Sequence, residues 1–179
     1  MKIPFVDLKV QYQNYKAELD TAIANVINET AFVGGTSNKY IVQFEKDFAQ
    51  FLNMKNVISC ANGTDSIEML LEAYNIGNDH EVIVPAVSWI STSEAVGRCG
   101  ANPVFIDVVE DTLLMNVELI EAAITSKTKA IIPVHLYGNA VNMDEVMRIA
   151  NKYNLIVIED CAQSHGSTYN GRLTGTIGH

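Results

Sequence analysis

The sequence has few cysteines, few basic residues and no long apolar run, and each shortage excludes a class of protein. The three cysteines contain no C-x-x-C pair, which argues against a disulfide framework or a zinc site and favours a reducing compartment. The 12 Lys and Arg residues against 21 Asp and Glu give a net charge of -9, whereas nucleic-acid binding requires clustered positive charge. No apolar run reaches the ~18 residues of a membrane span, and Pro4 and Asp7 come too early for a secretory signal. We therefore expect a cytoplasmic protein that binds neither nucleic acid nor a membrane.

Several common catalytic motifs are also missing. The chain contains no G-x-G-x-x-G and no G-x-x-x-x-G-K-[ST], which disfavours a conventional dinucleotide-binding fold and a P-loop NTPase. It has no G-x-S-x-G sequence to support a hydrolase triad. His135 and His165 lack a third ligand at metal-binding spacing, so no metal site is expected.

What the sequence does contain is a regular alternation of Val/Ile-rich runs with helical patterns. Five runs predict strands, at residues 57–60, 81–85, 103–107, 130–135 and 155–160. Strands of near-continuous β-branched residues that alternate with helices are typical of a parallel sheet covered on both faces. We therefore predict an α/β fold of three layers, α/β/α, with a mostly parallel sheet.

The first 55 residues lack this alternation. Their apolar spacing predicts two helices, at about 12–29 and 39–52. We divide the chain into an N-terminal helical segment, residues 1–55, and an α/β domain, residues 56–179. Because residues 166–179 are rich in Gly and Thr and end without a closing helix, we expect the α/β domain to be incomplete at its C-terminus.

Polar residues follow the predicted strands, and ligands bind beyond the carboxyl ends of strands in open parallel sheets. Gly63 and Thr64 open a helix whose free amides and dipole can hold a phosphate, although an ordinary helix cap explains the same residues. Trp89, the only tryptophan, can stack on a flat ring or pack in the core. Asp160 ends an apolar run, where a carboxylate needs a partner such as a cationic ring nitrogen, a ribose hydroxyl, a metal or a local cap. No single one of these residues identifies the ligand.

Four motifs occur in order along the chain: N-G-T-D at 62–65, E-V-I-V-P at 81–85, P-V-H-L-Y-G at 133–138 and E-D-C-A-Q-S-H-G at 159–166. Together they resemble the motifs of the DegT/DnrJ/EryC1/StrS sugar aminotransferases. The resemblance covers nearly the whole chain, from the lead-in at residues 3–8 to the final glycines. It implies the pyridoxal 5'-phosphate (PLP) chemistry and fold type I of the aspartate aminotransferases. Residues 56–179 would then be the PLP-binding large domain, without the C-terminal small domain.

The resemblance also implies a role for each candidate residue. Gly63 and Thr64 would bind the cofactor phosphate, and Trp89 would stack on the pyridine ring. Asp160 would pair with the pyridine nitrogen, and Gln163 would hydrogen-bond the phenolic oxygen. A carboxylate beside the ring nitrogen favours the protonated ring, which then accepts the electrons released when the substrate carbon loses a proton. The partners implied by the resemblance are a nucleotide-linked keto-deoxysugar, glutamate as amino donor and a second subunit in a homodimer.

One residue that the reaction requires is missing. A transaminase uses a lysine to form the Schiff base and move the proton, and in the family this lysine follows a Gly-rich stretch that residues 171–178 match. No lysine lies between Asp160 and His179. We therefore expect these residues to be the N-terminal part of a longer gene product and to be inactive alone. One alternative is a naturally short, inactive binding module. Another is a nucleotide-sugar dehydratase of the same family, in which histidine replaces the lysine.

Overall fold

A computed structural model describes residue 4 and residues 6–179 of the chain. The lead-in motif at residues 3–8 therefore lies partly outside the described residues. The chain separates into two compact units, one that ends at Val57 and one that spans Ile58–His179. No helix in the described part of the chain is long and apolar enough to cross a membrane.

The N-terminal unit contains helices α1 (Leu8–Asn28) and α2 (Lys39–Leu52), with one turn of 3-10 helix between them. Helix α1 begins four residues earlier than the periodicity predicts, because the side chain of Asp7 accepts a hydrogen bond from the backbone N–H of Val10 and caps the helix. Helix α2 has the predicted bounds. The side chain of Asn38 caps its start, and Asn53 ends it in the left-handed conformation.

The second unit alternates strands with helices, as predicted. Its elements are α3 (Gly63–Ala73), β1 (Glu81–Pro85), α4 (Ser91–Arg98), β2 (Asn102–Ile106), α5 (Ile120–Ala123), β3 (Thr128–Ile131), α6 (Met143–Tyr153), β4 (Ile156–Val157), β5 (Thr168–Tyr169) and β6 (Arg172–Leu173). Strands β1 to β4 form one parallel sheet in the order β2-β1-β3-β4. Short 3-10 turns precede α5 and follow β3.

Alternate residues of the central strands face opposite sides of this sheet, as the two-residue period of a strand requires. On one side, Ile83 and Ile131 are buried in a cluster with residues of α5 and α6. On the other side, Val82 and Ala130 are buried in a second cluster with residues of α3 and α4. Helices therefore cover both faces, which confirms the three-layer α/β/α prediction.

The prediction of a strand at 57–60 is wrong. Ile58 is 82% exposed, and the run pairs with no strand of the four-stranded sheet. A β-branched run forms a strand only where a neighbour supplies hydrogen bonds and a core covers its side chains. The last two predicted strands are also shorter than expected. Beyond Ile131 and Val157 the regular pairing gives way to an isolated bridge between Val134 and Asp160.

The Gly- and Thr-rich residues 166–179 contain a hairpin that the hydrophobic pattern does not predict. Strands β5 and β6 are antiparallel and are joined by Asn170 and Gly171. Both residues have positive φ, 49° and 77°, as the tightest hairpin turns require. The Asn-Gly pair is thus the sequence signal for this hairpin.

Candidate functional site

A pocket of about 270 Å³ lies where residues that follow β1 and β4 meet the start of α3. This is close to the lower limit of ~300–1,000 Å³ for small-molecule sites. Its lining includes all five residues selected from the sequence, which are Gly63, Thr64, Trp89, Asp160 and Gln163. Three further residues also line it: Ile67, Ser91 and Ala162. The pocket therefore brings together residues that are up to 100 positions apart in the chain.

Gly63 and Thr64 line the pocket at the first turn of α3, where backbone N–H groups have no partner within the helix. The cap itself is made by Asn62 and Asp65. The Oδ1 of Asn62 accepts from the N–H of Asp65, and its Nδ2 donates to Asp65 Oδ2, both at 3.0 Å. A Cβ built on Gly63 would meet no atom within 4 Å. Packing in the described residues therefore does not require a glycine here, and its missing side chain leaves the helix amides open to a ligand.

Asp160 is fixed at the carboxyl end of β4 by its backbone and its side chain. Its N–H donates to the carbonyl of Pro133, and its own carbonyl accepts from the N–H of His135. Its Oδ2 accepts from the hydroxyl of Thr92 at 2.8 Å, and its Oδ1 accepts from the N–H of Ala162 at 3.2 Å. The Thr92 hydroxyl and the Ala162 backbone N–H are both neutral donors, so neither cancels the negative charge that the carboxylate presents at the pocket.

The amide of Gln163 is oriented by the loop that follows β3. Its Oε1 accepts a hydrogen bond of 2.9 Å from the backbone N–H of Tyr137. Tyr137 has a left-handed conformation with φ of 54°, an uncommon state for a large side chain. Because the carbonyl end of the Gln163 amide is engaged, its NH₂ end remains to donate toward a ligand oxygen.

Trp89 is 71% exposed and lines the pocket. Of the two interpretations given above, core packing is therefore wrong for the described structure. An exposed indole at a pocket wall presents a flat apolar face to a ring.

A buried cluster next to Asp160 in the chain was missed by the sequence analysis. The carboxylate of Glu159 accepts from His135 Nε2 at 3.0 Å and from the backbone N–H groups of Gly175, Ile177 and Gly178 at 2.9, 2.7 and 2.6 Å. Burial alone would raise the pKa of Glu159, but the His135 and backbone donors outweigh it and hold the pKa below its usual value. The cluster joins residues 175–178 to the strand end that carries Asp160.

The proton on His135 can be placed from its partners. The N–H of Val141 donates to His135 Nδ1 at 3.1 Å, so the ring proton is on Nε2 and points at Glu159. The thiol of Cys161 lies with these two side chains in a group spanning 4.8 Å. Since the oxygens of Glu159 already accept four hydrogen bonds, this group is a structural anchor. Burial raises the pKa of the Cys161 thiol to about 12, which keeps it in the unreactive thiol form.

Residues 14–179 match the model of the DegT/DnrJ/EryC1/StrS aminotransferase family. The chain belongs to this family. The resemblance inferred from the four motifs is thereby confirmed, and the family implies dependence on PLP.

Individual DegT-family proteins are similar over almost the whole chain. A UDP-N-acetyl-3-dehydro-alpha-D-glucosamine 3-aminotransferase of Acidithiobacillus ferrooxidans is 42% identical over 98% of this chain and 47% of its own length. The crystal structure of a DegT-family aminotransferase from Brucella abortus has a TM-score of 0.93 and 38% identity, covering 99% of this chain and 49% of that one. A GDP-4-keto-6-deoxymannose-3-dehydratase with a trapped PLP-glutamate geminal diamine has a TM-score of 0.80 and 32% identity, covering 88% and 42%. The chain thus spans about half the length of these relatives.

The aminotransferases among the structural relatives have the PLP-dependent fold type I, which confirms the predicted fold class. The pocket residues also fit PLP chemically. Helix amides beside the open space at Gly63 suit a phosphate, and the exposed face of Trp89 suits a flat ring. The anchored carboxylate of Asp160 suits a protonated ring nitrogen, and the NH₂ of Gln163 suits a phenolic oxygen.

Proposed function

We propose that this chain supplies the PLP-binding part of an aminotransferase that acts on a nucleotide-linked keto-deoxysugar. The observation that carries the proposal is the pocket itself, which combines the start of α3, Trp89, Asp160 and Gln163. These groups come from three separate segments of the chain. Their combination of amide donors, an aromatic face, a carboxylate and an amide NH₂ matches the separate chemical features of one cofactor.

In this proposal each side chain has one task. Gly63 and Thr64 bind the phosphate, and Trp89 lies against the ring. Asp160 keeps the proton on the ring nitrogen, and Gln163 donates to the phenolic oxygen. When bound, PLP supplies an electron sink for the charge left on the substrate carbon after deprotonation. The protein's contribution is to orient the ring and to hold that nitrogen proton.

The substrate proposal rests on what similar proteins act on. The relative from Acidithiobacillus ferrooxidans acts on a UDP-linked keto-sugar, and the dehydratase acts on a GDP-linked one. That dehydratase was also trapped with PLP and glutamate, which supports glutamate as the amino donor. The family resemblance supports a homodimer. The three free cysteines of the described structure support a reducing, cytoplasmic compartment.

Lysine is the residue that this site still needs for aminotransfer. None lines the described pocket, and every lysine of the chain precedes Asp160. We therefore propose that the 179 residues alone bind the cofactor without transaminating.

Borohydride trapping tests this proposal. The complete product of the gene that encodes these residues would be treated with one equivalent of PLP, reduced and digested, and the modified peptide mapped. We expect one adduct on a lysine that follows His179. The 179-residue chain, treated in parallel, should give no single preferred lysine. A preferred adduct on Lys127, Lys129 or Lys152 would contradict the assignment of the pocket.

A dehydratase is the second candidate, and the similarity to the GDP-4-keto-6-deoxymannose-3-dehydratase supports it. The same experiment separates the two functions, because histidine at the lysine position would leave the complete protein without a reduced adduct. An inactive module would also give no adduct, but it would convert no nucleotide sugar in the presence of PLP and glutamate.

Replacing Gly63 by Ala tests the phosphate role without disturbing the fold. Its φ is unstrained and a Cβ there meets no atom within 4 Å, so we expect the free energy of unfolding to be unchanged or higher by about 0.4–1 kcal/mol. Affinity for pyridoxamine 5'-phosphate should nevertheless fall about tenfold or more. The added methyl group would occupy the open space beside the helix amides, so that the phosphate would lose one charge-assisted hydrogen bond. The matched control is Gly97→Ala in α4, where a Cβ is equally unobstructed and no pocket residue is affected. Equal affinities in the two variants would remove Gly63 from the binding site.

A further inference from the structure

Thr92 is a buried residue of α4 whose hydroxyl contacts two other side chains. It is 2% exposed and does not line the pocket. Its hydroxyl donates to Asp160 Oδ2 at 2.8 Å, and Ser88 Oγ lies 3.0 Å from the same Thr92 oxygen. The contact joins two residues that are 68 positions apart in sequence.

The direction of these hydrogen bonds follows from proton counting. A hydroxyl has one proton, and an ionised carboxylate can only accept. The proton of Thr92 is therefore directed to Asp160, and the proton of Ser88 is directed to Thr92. The result is a short relay from Ser88 through Thr92 to the carboxylate.

This relay and one further hydrogen bond restrain the two oxygens of the Asp160 carboxylate. Oδ2 is held by Thr92, and Oδ1 is held by the N–H of Ala162 at 3.2 Å. Each carboxylate oxygen accepts one hydrogen bond in this way and keeps capacity for another. The rotation of the carboxylate is thus fixed while it can still accept a proton donor from the pocket.

We propose that Thr92 is a positioning residue, which fixes the Asp160 carboxylate for a protonated pyridine nitrogen. The inference rests on the proposed function, since it assigns the pocket to that cofactor. It adds a residue that the motifs do not indicate and that does not line the pocket. Loss of the Thr92 hydroxyl would free Oδ2 to rotate, so that the carboxylate would meet the ring nitrogen in only part of its orientations.

Two substitutions separate the hydroxyl from the rest of the side chain. Thr92→Val keeps the branched shape and removes the hydroxyl, whereas Thr92→Ser keeps the hydroxyl and removes the methyl group. The probe is pyridoxamine 5'-phosphate, which has no aldehyde and does not react with lysines. Trp89 is the only tryptophan and lines the pocket, so quenching of its fluorescence reports binding at this site.

We expect Thr92→Val to raise the Kd for pyridoxamine 5'-phosphate about tenfold or more, the effect of losing a hydrogen bond to a charged group. Thr92→Ser should stay within about twofold of the parent chain, since its hydroxyl can restore that bond. Absorbance titration of the bound ligand should show the ring losing its proton at lower pH in Thr92→Val than in Thr92→Ser. A role confined to packing would leave this titration unchanged.

Unfolding curves for each variant ensure that the comparison is made on folded protein. If Thr92→Val does not fold, Ser88→Ala is the second test, and it should weaken binding by less than tenfold but more than Thr92→Ser. Equal affinities of Thr92→Val, Thr92→Ser and the parent chain for the probe would overturn the role of Thr92 but not the proposed function. Equal losses in Thr92→Val and Thr92→Ser, or a loss confined to Thr92→Ser, would also overturn it, because the hydroxyl that Ser retains would then not account for the effect. Failure of the parent chain to bind the probe would overturn the proposed function together with this inference.

Discussion

Asp160→Asn should remove nearly all of the proposed aminotransferase activity of the complete gene product while leaving the cofactor bound. An adjacent carboxylate raises the proton affinity of a cationic partner by ~1–3 pKa units, so its loss leaves ~10–1,000-fold less protonated ring near neutral pH. Asn keeps the shape of the side chain and can still accept from Thr92, so the pocket itself should persist. We therefore expect the rate of amino transfer to fall by about a hundredfold or more. Steady-state kinetics with a nucleotide-linked keto-sugar and glutamate would measure it.

A matched control is Asp107→Asn. Asp107 also follows a strand of the same sheet, β2, but it is exposed, its carboxylate accepts from the backbone N–H of Val108, and it does not line the pocket. This variant should retain the parent rate. An Asp160→Asn enzyme that also kept near-normal turnover would show that Asp160 is not the partner of the ring nitrogen.

The parts of the fold that the sequence predicted well are those fixed by local pattern and burial. Strand 81–85 has its predicted bounds, and its last four residues are buried. Helix α2 also has its predicted bounds, because Asn38 caps its start and Asn53 ends it in the left-handed conformation. The run at 57–60 has the same β-branched character, yet Ile58 is exposed and unpaired with the sheet. Composition alone does not reveal whether a neighbouring strand is present.

The difference between local sequence pattern and distant contacts also explains which site residues the sequence predicted. Gly63, Trp89 and Asp160 could be grouped because each follows or precedes a predictable element at one end of the sheet. Thr92 and Glu159 could not, since their roles depend on partners 68 and 16–24 positions away in the chain. A hydroxyl inside a helix and a carboxylate beside Asp160 carry no local signal of those contacts. Only the packed structure identifies which polar groups become buried together.

Glu159→Gln should cause the largest loss of stability among the substitutions considered. The Glu159 side chain is 3% exposed, and its two oxygens accept four hydrogen bonds. A glutamine would turn an NH₂ group toward at least one pair of these donors. We expect the free energy of unfolding to fall by about 2–6 kcal/mol, since two buried donors would lose their acceptor at about 1–3 kcal/mol each. Urea unfolding monitored by circular dichroism would measure this loss.

Glu121→Gln is the control for the charge itself. Glu121 also has a lowered pKa, of about 2, through Lys152 and Arg148, but these ion pairs are exposed. Exposed ion pairs contribute little net stability, so this variant should lose little. A loss as large as that of Glu159→Gln would mean that the anchor at residues 175–178 contributes no more than a surface ion pair.

The stability difference between the parent chain and Glu159→Gln should also depend on pH. The pKa of Glu159 is lowered in the folded protein from its ordinary value of 4.5, so the folded state binds this proton less readily than the unfolded state. The stabilisation is therefore fully present above pH 4.5 and is lost as the pH falls through the folded pKa. Unfolding free energies measured from pH 7 down to pH 3 should show a constant difference between the two proteins that narrows below about pH 4.5. A difference that stayed constant to pH 3 would show that the ionised carboxylate does not hold the anchor together.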